Sequence, residues 1–202
     1  MIAALVPAAG HSRRMGAPKL ALEVAGRSVI EHVAEALRAA GASPVLVVLA
    51  PHVAFLGEPA ARAGAEVLQL PEATPDMRAT VEAGLGWLEE RYHPAGSDAW
   101  LLAPADHPAL DAGVVRRLIE EKQRRPDRSI FVPTWRGRRG HPALVGWGHV
   151  AGLRALPAGE GLNVYLRAQE VCELPVESAG VVEDLDTPED FARLLVGRAP
   201  DD

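Results

Sequence analysis

The sequence has little cysteine, no long hydrophobic run and no excess of positive charge. Cys172 is its single cysteine, which excludes an internal disulfide framework and a cysteine-based zinc site and fits a reducing compartment. We interpret Cys172 as a packing residue. No apolar run is long enough to span a bilayer, and the opening MIAALV is too short for a signal peptide and lacks its charged region. We therefore expect a soluble, cytoplasmic protein with no membrane partner.

The formal net charge of the 202 residues is −6, which argues against a general nucleic-acid-binding surface. Any anion must then be bound by a local cluster of arginine and lysine. Hydrophobic residues make up 48% of the chain and charged residues 24%, which are ordinary values for a globular protein. They predict one domain over residues 1–202, with a core of about residues 2–195.

Apolar runs alternate with amphipathic helical patterns over the first 125 residues. The runs do not alternate with polar residues, so they predict strands buried on both faces: IAALV, PVLVVLA, AEVLQL and DAWLLAPA. The helical patterns are SVIEHVAEALRAAG, with Ser28 as N-cap and Gly41 past the end, TVEAGLGWLEERY, and DAGVVRRLIEEKQRR, which Pro126 ends. A βαβαβα order predicts an α/β fold with a doubly wound, mostly parallel sheet.

After residue 128 the pattern changes. The segments SIFVPTW and HPALVG flank RGRRG, which predicts a small hairpin insertion. Short helical patterns follow at HVAGLRALP and GLNVYLRAQ. Ligands of such sheets bind beyond the carboxyl ends of the strands, so the residues that follow each strand are the candidates for chemistry.

The segment PAAGHSRRMGAPKL follows the first strand and combines Gly10 and Gly16 with Arg13, Arg14 and Lys19. Glycines let backbone N–H groups approach an anion, and the cations add charge that phosphate oxygens accept. The spacing is neither that of a P-loop nor that of a GxGxxG dinucleotide turn. This loop therefore predicts a phosphorylated ligand, and an ordinary turn with solvated arginines is the alternative.

Two acidic segments follow later in the chain. Asp106 ends an apolar strand in LLAPADHPAL, where it either binds Mg²⁺ opposite bound phosphates or simply forms a turn. In VVEDLDTPEDF, Asp184 and Asp186 would face the same side of an extended strand and could approach one cation. The residues after them, with Thr187 as N-cap and Asp190 completing a capping box, predict a helix start.

Taken together, these segments resemble the molybdenum-cofactor nucleotidyltransferases (the MobA-like and MocA-like enzymes), which have the nucleotide-diphospho-sugar transferase fold. The opening loop resembles their LAAGxSxRMGxxK signature, PADHP their metal-binding aspartate segment, RGRRGHPALV their GRRGHPVLF segment, and DLDTPEDF their DIDTPEDY ending. The resemblance covers roughly residues 2 to 195. Ala8 and Ala9, where guanylyltransferases have a glycine pair, and the Gly-His-Pro segment place the chain nearer the cytidylyltransferase branch.

The resemblance implies a nucleotide site. Arg14 would neutralise the β and γ phosphates, and Lys19 would neutralise the α phosphate. The full implied set of nucleotide-binding residues is Ala8, Ala9, Gly10, Ser12, Arg14, Lys19, Met77 and Thr80. Arg14, Lys19 and Asp106 would be catalytic, through positioning and charge neutralisation rather than through a protein nucleophile.

The resemblance also implies a metal site and an acceptor side. Asp106 would hold Mg²⁺, with Asp186, which is slightly favoured, or Asp184 as the second carboxylate. Arg139, Gly140 and His141 would cover the acceptor. The chain departs from the family pattern at Asp76, where the family has glycine, at Thr80, where it has serine, and at Asn163, where it commonly has arginine, so the base and the acceptor stay open.

Three functions are compatible with the sequence. The first is Mg²⁺-dependent transfer of a nucleoside monophosphate, with CMP favoured, from a nucleoside triphosphate to molybdopterin or a related phosphorylated cofactor. The second is transfer to a sugar 1-phosphate or another small phosphate. The third is a nucleotide-binding maturation factor without turnover, whose partner is a molybdoenzyme. The joint presence of Arg14, Lys19, Asp106 and Asp186 argues against the third.

Overall fold

Strands and helices alternate through the first 125 residues of the chain, as the apolar runs predict. The computed structural model describes residues 1–12 and 15–197. Its strands are β1 (Ile2–Ala8), β2 (Glu23–Val24), β3 (Arg27–Ser28), β4 (Val45–Leu49), β5 (Glu66–Gln69), β6 (Ala99–Leu102), β7 (Ile130–Trp135), β8 (Arg138–Arg139), β9 (Ala143–Gly146) and β10 (Cys172–Pro175). Its helices are α1 (Val29–Ala39), α2 (Gly57–Arg62), α3 (Met77–Tyr92), α4 (Ala112–Arg124), α5 (Val150–Arg154), α6 (Leu162–Arg167) and α7 (Pro188–Gly197).

One sheet runs through the molecule in the order β10-β7-β9-β6-β1-β4-β5, with β8 paired to β7. Its strands pair in parallel, except that β9 runs antiparallel to both β6 and β7 and β8 runs antiparallel to β7. β2 and β3 form a separate antiparallel pair. The predicted doubly wound, mostly parallel sheet is confirmed, and so is the hairpin after residue 128.

Strand β1 lies in the middle of the sheet and is covered on both faces. Ala4 and Val6 pack into the cluster that contains α1 and α4, whereas Ala3 and Leu5 pack into the cluster that contains α3 and α5. Each of these four side chains is 0% exposed. Burial on both faces explains why the strand carries no polar alternation.

The helix boundaries follow from their caps. Ser28 and Glu31 form a capping box at the start of α1, and Gly41, just past its end, has φ of +97°. Helix α3 begins at Met77, three residues before the pattern that predicted it, because the Asp76 carboxylate accepts a hydrogen bond of 2.8 Å from Ala79 N. Asp111 caps α4 in the same way.

Some short elements lack a clear sequence signal. The segment between β4 and β5 forms a 3-10 turn, Pro51–Leu56, and then α2, in place of the single long helix of the other crossovers. Edge strand β10 contains Cys172, which packs half-buried against the core as expected. Within residues 1–12 and 15–197, no helix is both long and apolar enough to cross a membrane.

Candidate nucleotide site

A cleft of about 420 Å³ opens beyond the carboxyl ends of β1 and β6, the place where parallel sheets bind ligands. The opening loop forms one wall, and the two acidic segments form the opposite side. The lining residues are Pro7, Ala8, Gly10, His11, Ser12, Met15, Lys19, Leu20, Met77, Pro104, Ala105, Asp106 and Asp186. Gly10, Ser12 and Lys19 of the opening loop therefore meet two of the predicted metal-binding carboxylates, Asp106 and Asp186, in one place.

Lys19 lies between two carboxylates in this cleft. Its Nζ atom donates to Asp106 Oδ2 at 2.6 Å and to Asp186 Oδ1 at 2.8 Å. The Lys19 side chain is 14% exposed. Burial acts to lower the pKa of Lys19, but the hydrogen bonds and charges of the two carboxylates outweigh it and raise the pKa above its ordinary value. Lys19 is therefore a charged ammonium that holds both carboxylates at one point.

The backbone brings Asp186 opposite Asp106. Leu185, whose side chain is buried, donates from its N–H to the Asp106 carbonyl oxygen at 2.8 Å. The Asp190 carboxylate accepts hydrogen bonds from the backbone N–H groups of Asp186 and Thr187, at 3.0 and 2.7 Å. Asp190 N in turn donates to Thr187 Oγ1. The predicted capping box is confirmed, and it also fixes the backbone of Asp186, a role that the sequence did not suggest.

Asp184 lies elsewhere. It lines a separate cleft of about 650 Å³ with Arg138 and Arg193 among others. The strand on which Asp184 and Asp186 were expected to face one side is wrong, because residues 183–186 belong to no strand. In the part of the chain that the structure describes, no three His, Cys, Asp or Glu side chains form a metal-binding group, so the candidate metal site is the pair Asp106 and Asp186.

The opening loop is shaped for close approach of a ligand. Ser12 has a positive φ of 49°, and its Oγ accepts a hydrogen bond of 3.3 Å from Lys19 N. Ser12 O accepts a second one, of 3.1 Å, from Met15 N. Ala8 and Gly10 line the cleft, whereas Ala9 is half-buried against the core behind it. Arg13 and Arg14 lie outside the described residues.

Met77 and Thr80 were both expected to contact the nucleotide, but only Met77 lines the cleft. Met77 lines the cleft and is 54% exposed. Thr80 is buried, with its hydroxyl 2.5 Å from Thr74 Oγ1 and 3.2 Å from the Asp76 carbonyl oxygen. The Thr80 hydroxyl is therefore engaged with the segment just before α3, and Thr80 does not line the cleft.

The expected acceptor-side residues are also separated. His141 lines an adjoining cleft of about 330 Å³, which shares Met77 and Pro104 with the first cleft. Gly140 packs so closely that a Cβ would overlap the Val181 carbonyl oxygen. Arg139 lies on the surface in β8, where its Nε donates to Glu173 Oε1 at 2.8 Å. The structure therefore places His141 in the cleft beside the first one and does not bring Arg139 to that cleft.

His141 is uncharged at neutral pH. Burial, reinforced by the neighbouring His107, lowers its pKa from 6.5 to about 4, although Asp106 and Asp184 act in the opposite direction. The His107 and His141 rings meet edge to face with centroids 5.3 Å apart. Neither Nδ1 atom has a hydrogen-bond partner in the part of the chain described by the structure. His107 had no assigned role from the sequence.

Sequence reasoning also missed the residues that close the two clefts. Pro104 and Ala105 form the floor beneath Asp106, and His11 and Met15 lie on the opening loop. Residues 159–163 form a wall of the adjoining cleft, and of these the sequence pointed only to Asn163. The glycines in GEGLN were the available signal, since glycine marks places where the backbone itself forms a surface.

This fold and site define a class of protein. The chain belongs to the MobA-like NTP transferase domain family, whose model matches residues 4–173. Its doubly wound sheet is that of the nucleotide-diphospho-sugar transferase fold. The family and the fold are those of nucleotidyltransferases, as the sequence resemblance indicates.

The chain is similar to curated proteins and to solved structures. The nicotine blue oxidoreductase of Paenarthrobacter nicotinovorans is 29% identical over an alignment of 204 residues, which covers 93% of this chain and 93% of that protein. The 2-C-methyl-D-erythritol 4-phosphate cytidylyltransferase of Aeromonas hydrophila is 32% identical over 121 residues, 58% of this chain and 46% of the relative. The crystal structure of Rv0371c from Mycobacterium tuberculosis matches with a TM-score of 0.82 and 26% identity, over 97% of this chain and 98% of that one. A further structure of that protein, at 25% identity, is a complex with manganese.

Proposed function

We propose that the protein is a divalent-metal-dependent nucleotidyltransferase that transfers a nucleoside monophosphate, with CMP favoured, from a nucleoside triphosphate to a phosphorylated acceptor such as molybdopterin. An acceptor phosphate oxygen forms a bond to the α-phosphorus, the bond from that phosphorus to the β-phosphate oxygen breaks, and pyrophosphate leaves. The observation that carries the proposal is the ammonium of Lys19, held by Asp106 and Asp186 beside a glycine-containing loop.

The loop residues would bind the triphosphate. Gly10 offers its backbone and Ser12 its hydroxyl, while Lys19 would neutralise charge on the α-phosphate, where negative charge develops during transfer. Arg14, from the matched family segment, would neutralise the β and γ phosphates. Met77, exposed at the cleft edge, would cover the nucleoside. These residues act by position and charge, so the reaction needs no protein nucleophile.

The two carboxylates are suited to a divalent cation. Asp106 and Asp186 both reach a single positive charge, the Lys19 ammonium, within 2.8 Å, so they can face one cation. Mg²⁺ takes only one or two protein carboxylates and completes its shell with water and substrate phosphates. When bound, such an ion supplies neutralisation of the phosphate charge in the transfer step. The manganese complex of the similar mycobacterial protein supports a divalent ion in this chain.

Cytosine is favoured as the base for two reasons. Ala8 and Ala9 stand where the guanylyltransferases of the family have two glycines. The Gly-His-Pro segment, residues 140–142, resembles that of the cytidylyltransferase branch. The partial similarity to a cytidylyltransferase that acts on a sugar-alcohol phosphate supports the same base. The neutral His141, which lies in the adjoining cleft, would face the acceptor.

The test is pyrophosphate release with each of the four ribonucleoside triphosphates, with and without molybdopterin, in Mg²⁺, in Mn²⁺ and after chelation. We expect release only with acceptor and metal, fastest with CTP. Faster release with GTP would reject the base assignment. Release with a sugar 1-phosphate but not with molybdopterin would move the acceptor to that class, and the absence of release with every acceptor would reject the transferase.

Oxidoreduction is a second candidate because the relative that matches over 93% of both chains is a nicotine blue oxidoreductase. The opening loop argues against it, since Gly10 and Gly16 do not form the GxGxxG turn that binds a nicotinamide dinucleotide. The measurement is oxidation of NADH or NADPH in the presence of nicotine blue. Turnover there, with no pyrophosphate release from any triphosphate, would favour this second candidate.

A further inference from the structure

Arg78, the second residue of α3, uses every N–H donor of its guanidinium inside the protein. Nε donates to Glu82 Oε1 at 2.7 Å. Nη1 donates to the carbonyl oxygens of Pro157 at 2.8 Å and Glu160 at 3.3 Å. Nη2 donates to those of Leu156 at 2.9 Å and Arg154 at 3.3 Å. The Arg78 side chain is 13% exposed.

The four acceptor carbonyls belong to one segment, residues 154–160, which begins at the last residue of α5. The last carbonyls of a helix have no partner within the helix and must be satisfied from outside. A planar guanidinium with five donors can serve several of them at once, whereas a lysine has three donors and no fork. Arg78 is therefore the residue that fixes the path of the chain after α5.

That segment leads directly into the wall of the adjoining cleft. Gly159, Gly161 and Asn163 line this cleft, as do His141, Leu102 and Arg78 itself. Arg78 itself follows Met77, which lines both clefts. The Arg78 side chain thus joins the start of α3, at the first cleft, to the segment that leads into residues 159–163 of the adjoining cleft.

We propose that Arg78 is a positioning residue for the acceptor, which holds residues 154–163 at the distance from α3 that the acceptor requires. The proposal rests on the proposed function, because it takes the adjoining cleft as the acceptor side. Arg78 does not bind the acceptor's charge itself, since its five donors are occupied. Its effect reaches the acceptor only through the segment that it holds.

The test compares Arg78→Met, Arg78→Lys and the control Arg154→Met. Arg154 donates from Nη1 and Nη2 to the Glu89 carboxylate at 3.2 and 2.7 Å. It therefore joins α5 to α3, as Arg78 does, but it does so on the surface and binds none of the carbonyl groups of residues 154–160. Hydrogen exchange of residues 155–163 and the dissociation constant for CTP are measured for each. Steady-state kinetics use the acceptor that gives pyrophosphate release with the wild type, and the melting temperature serves as the folding control.

We expect Arg78→Met to raise exchange in residues 155–163 at least tenfold while CTP affinity stays within threefold. The acceptor KM should rise at least tenfold, with kcat within threefold. Arg78→Lys should fall between it and the wild type, and Arg154→Met should resemble the wild type. Exchange like that of the wild type in Arg78→Met, an equal rise in Arg154→Met, or an unchanged acceptor KM would overturn the proposal.

Exchange and CTP binding need no turnover, so they separate this proposal from the proposed function. If no acceptor supports pyrophosphate release by the wild type, the proposed function fails and the exchange arm alone decides whether Arg78 holds the segment. If Arg78→Met lowers CTP affinity and exposes the first turn of α3 to exchange as strongly as residues 155–163, Arg78 merely stabilises α3, and the positioning role is rejected.

Discussion

At the scale of single residues, the site depends on one compact cation. The chain has two lysines, Lys19 and Lys122, and otherwise uses arginine. An ammonium is a small point charge, which suits a place where two carboxylates approach it from different segments, whereas a guanidinium binds one carboxylate best, through two parallel hydrogen bonds. Lys19 therefore presents a single charge where the carboxylates meet.

Replacing Lys19 by methionine keeps most of the packing and removes the charge. We expect nucleoside triphosphate affinity to weaken by about 1.5 to 3 kcal/mol, the scale of a charge-assisted hydrogen bond. Calorimetric titration with CTP and Mg²⁺ measures it. Lys122→Met is the matched control. Lys122 lies on α4, and its Nζ atom donates to the Arg128 carbonyl oxygen at 3.1 Å, so the loss of this lysine should leave CTP affinity unchanged. Equal affinities in the two variants would remove Lys19 from the nucleotide site.

The proposed metal site contains Asp106 and Asp186 but not Asp184, so substitutions of these carboxylates should differ in their effect on turnover. Asp106→Asn and Asp186→Asn should each lower kcat by about 10² to 10³, the loss found when one group that stabilises transition-state charge is removed. Nucleotide affinity should change much less, because the metal acts most strongly on charge that develops during transfer. Measurement of kcat and of the CTP dissociation constant, with melting temperature as a folding control, tests this.

Asp184→Asn is the control for that pair, since Asp184 lies in the separate cleft with Arg138 and Arg193. Its kcat should stay near that of the wild type. A large loss of kcat in Asp184→Asn, with Asp186→Asn active, would reverse the assignment. Turnover close to wild type in both Asp106→Asn and Asp186→Asn would leave the metal site without support.

At the scale of elements, the first helix is held at its start by Glu31. The Glu31 carboxylate accepts hydrogen bonds from Ser28 N at 2.8 Å and Ser28 Oγ at 2.6 Å, and Arg62 also donates to it. Burial acts to raise the pKa of Glu31, but these hydrogen bonds outweigh it, so the pKa lies below its ordinary value of 4.5. A folded-state pKa below the unfolded value stabilises the fold above pH 4.5, and this contribution is lost as the pH falls through the lower, folded-state pKa.

Glu31→Ala should therefore destabilise the protein by about 1 kcal/mol at pH 7, the typical value of a helix cap. The difference from the wild type should shrink as the pH falls from 4.5 through the lower folded-state pKa, because the carboxylate is protonated first in the unfolded chain and then in the folded protein. Urea unfolding at several pH values measures both. Glu35→Ala, on the same helix, removes a surface pair with Arg27 of β3 and should cost less than about 1 kcal/mol. A Glu31 effect that does not vary with pH would contradict the capping explanation.

At the scale of the whole molecule, one helix packs unusually close to the sheet. A Cβ at Gly84 on α3 would overlap Leu5 Cδ1 and lie 2.9 Å from Val48 Cγ2. Both of these side chains are 0% exposed, in the neighbouring strands β1 and β4. Gly84 therefore sets the distance between α3 and the centre of the sheet, and with it the position of Met77 at the cleft.

Gly84→Ala should lose up to about 2 kcal/mol of stability, because overpacking costs roughly 1 to 3 kcal/mol and the gain in helix propensity offsets only about 1 kcal/mol of it. Gly86→Ala lies two residues along the same helix, where a Cβ would meet only Arg154 Nη2, at 3.9 Å. It should stabilise by about 0.5 to 1 kcal/mol. The free energies of unfolding in urea give the comparison, and equal effects of the two substitutions would show that α3 does not pack through Gly84.

The sequence by itself determined the order of the main strands and helices, the caps at Ser28 and Thr187, and the cationic loop after β1. These features are local: burial on both faces removes polar alternation from a strand, and caps and glycines act within a few residues. The same locality explains the failures. No short-range pattern marks β10 or the four backbone contacts of Arg78, because β10 pairs with β7 and Arg78 binds carbonyl groups 76 to 82 residues away.

Only the tertiary structure decided which carboxylate faces Lys19. Asp184 and Asp186 have the same residue type and lie two positions apart, so the sequence alone could only assign them one strand face. The hydrogen bond from Leu185 N to the Asp106 carbonyl oxygen, and the Asp190 carboxylate on Asp186 N, turn this segment so that Asp186 meets Lys19. Asp106 lies 87 residues from Lys19 and Asp186 lies 167 residues from it. Contacts over such distances arise only when the sheet brings the ends of its strands to one edge.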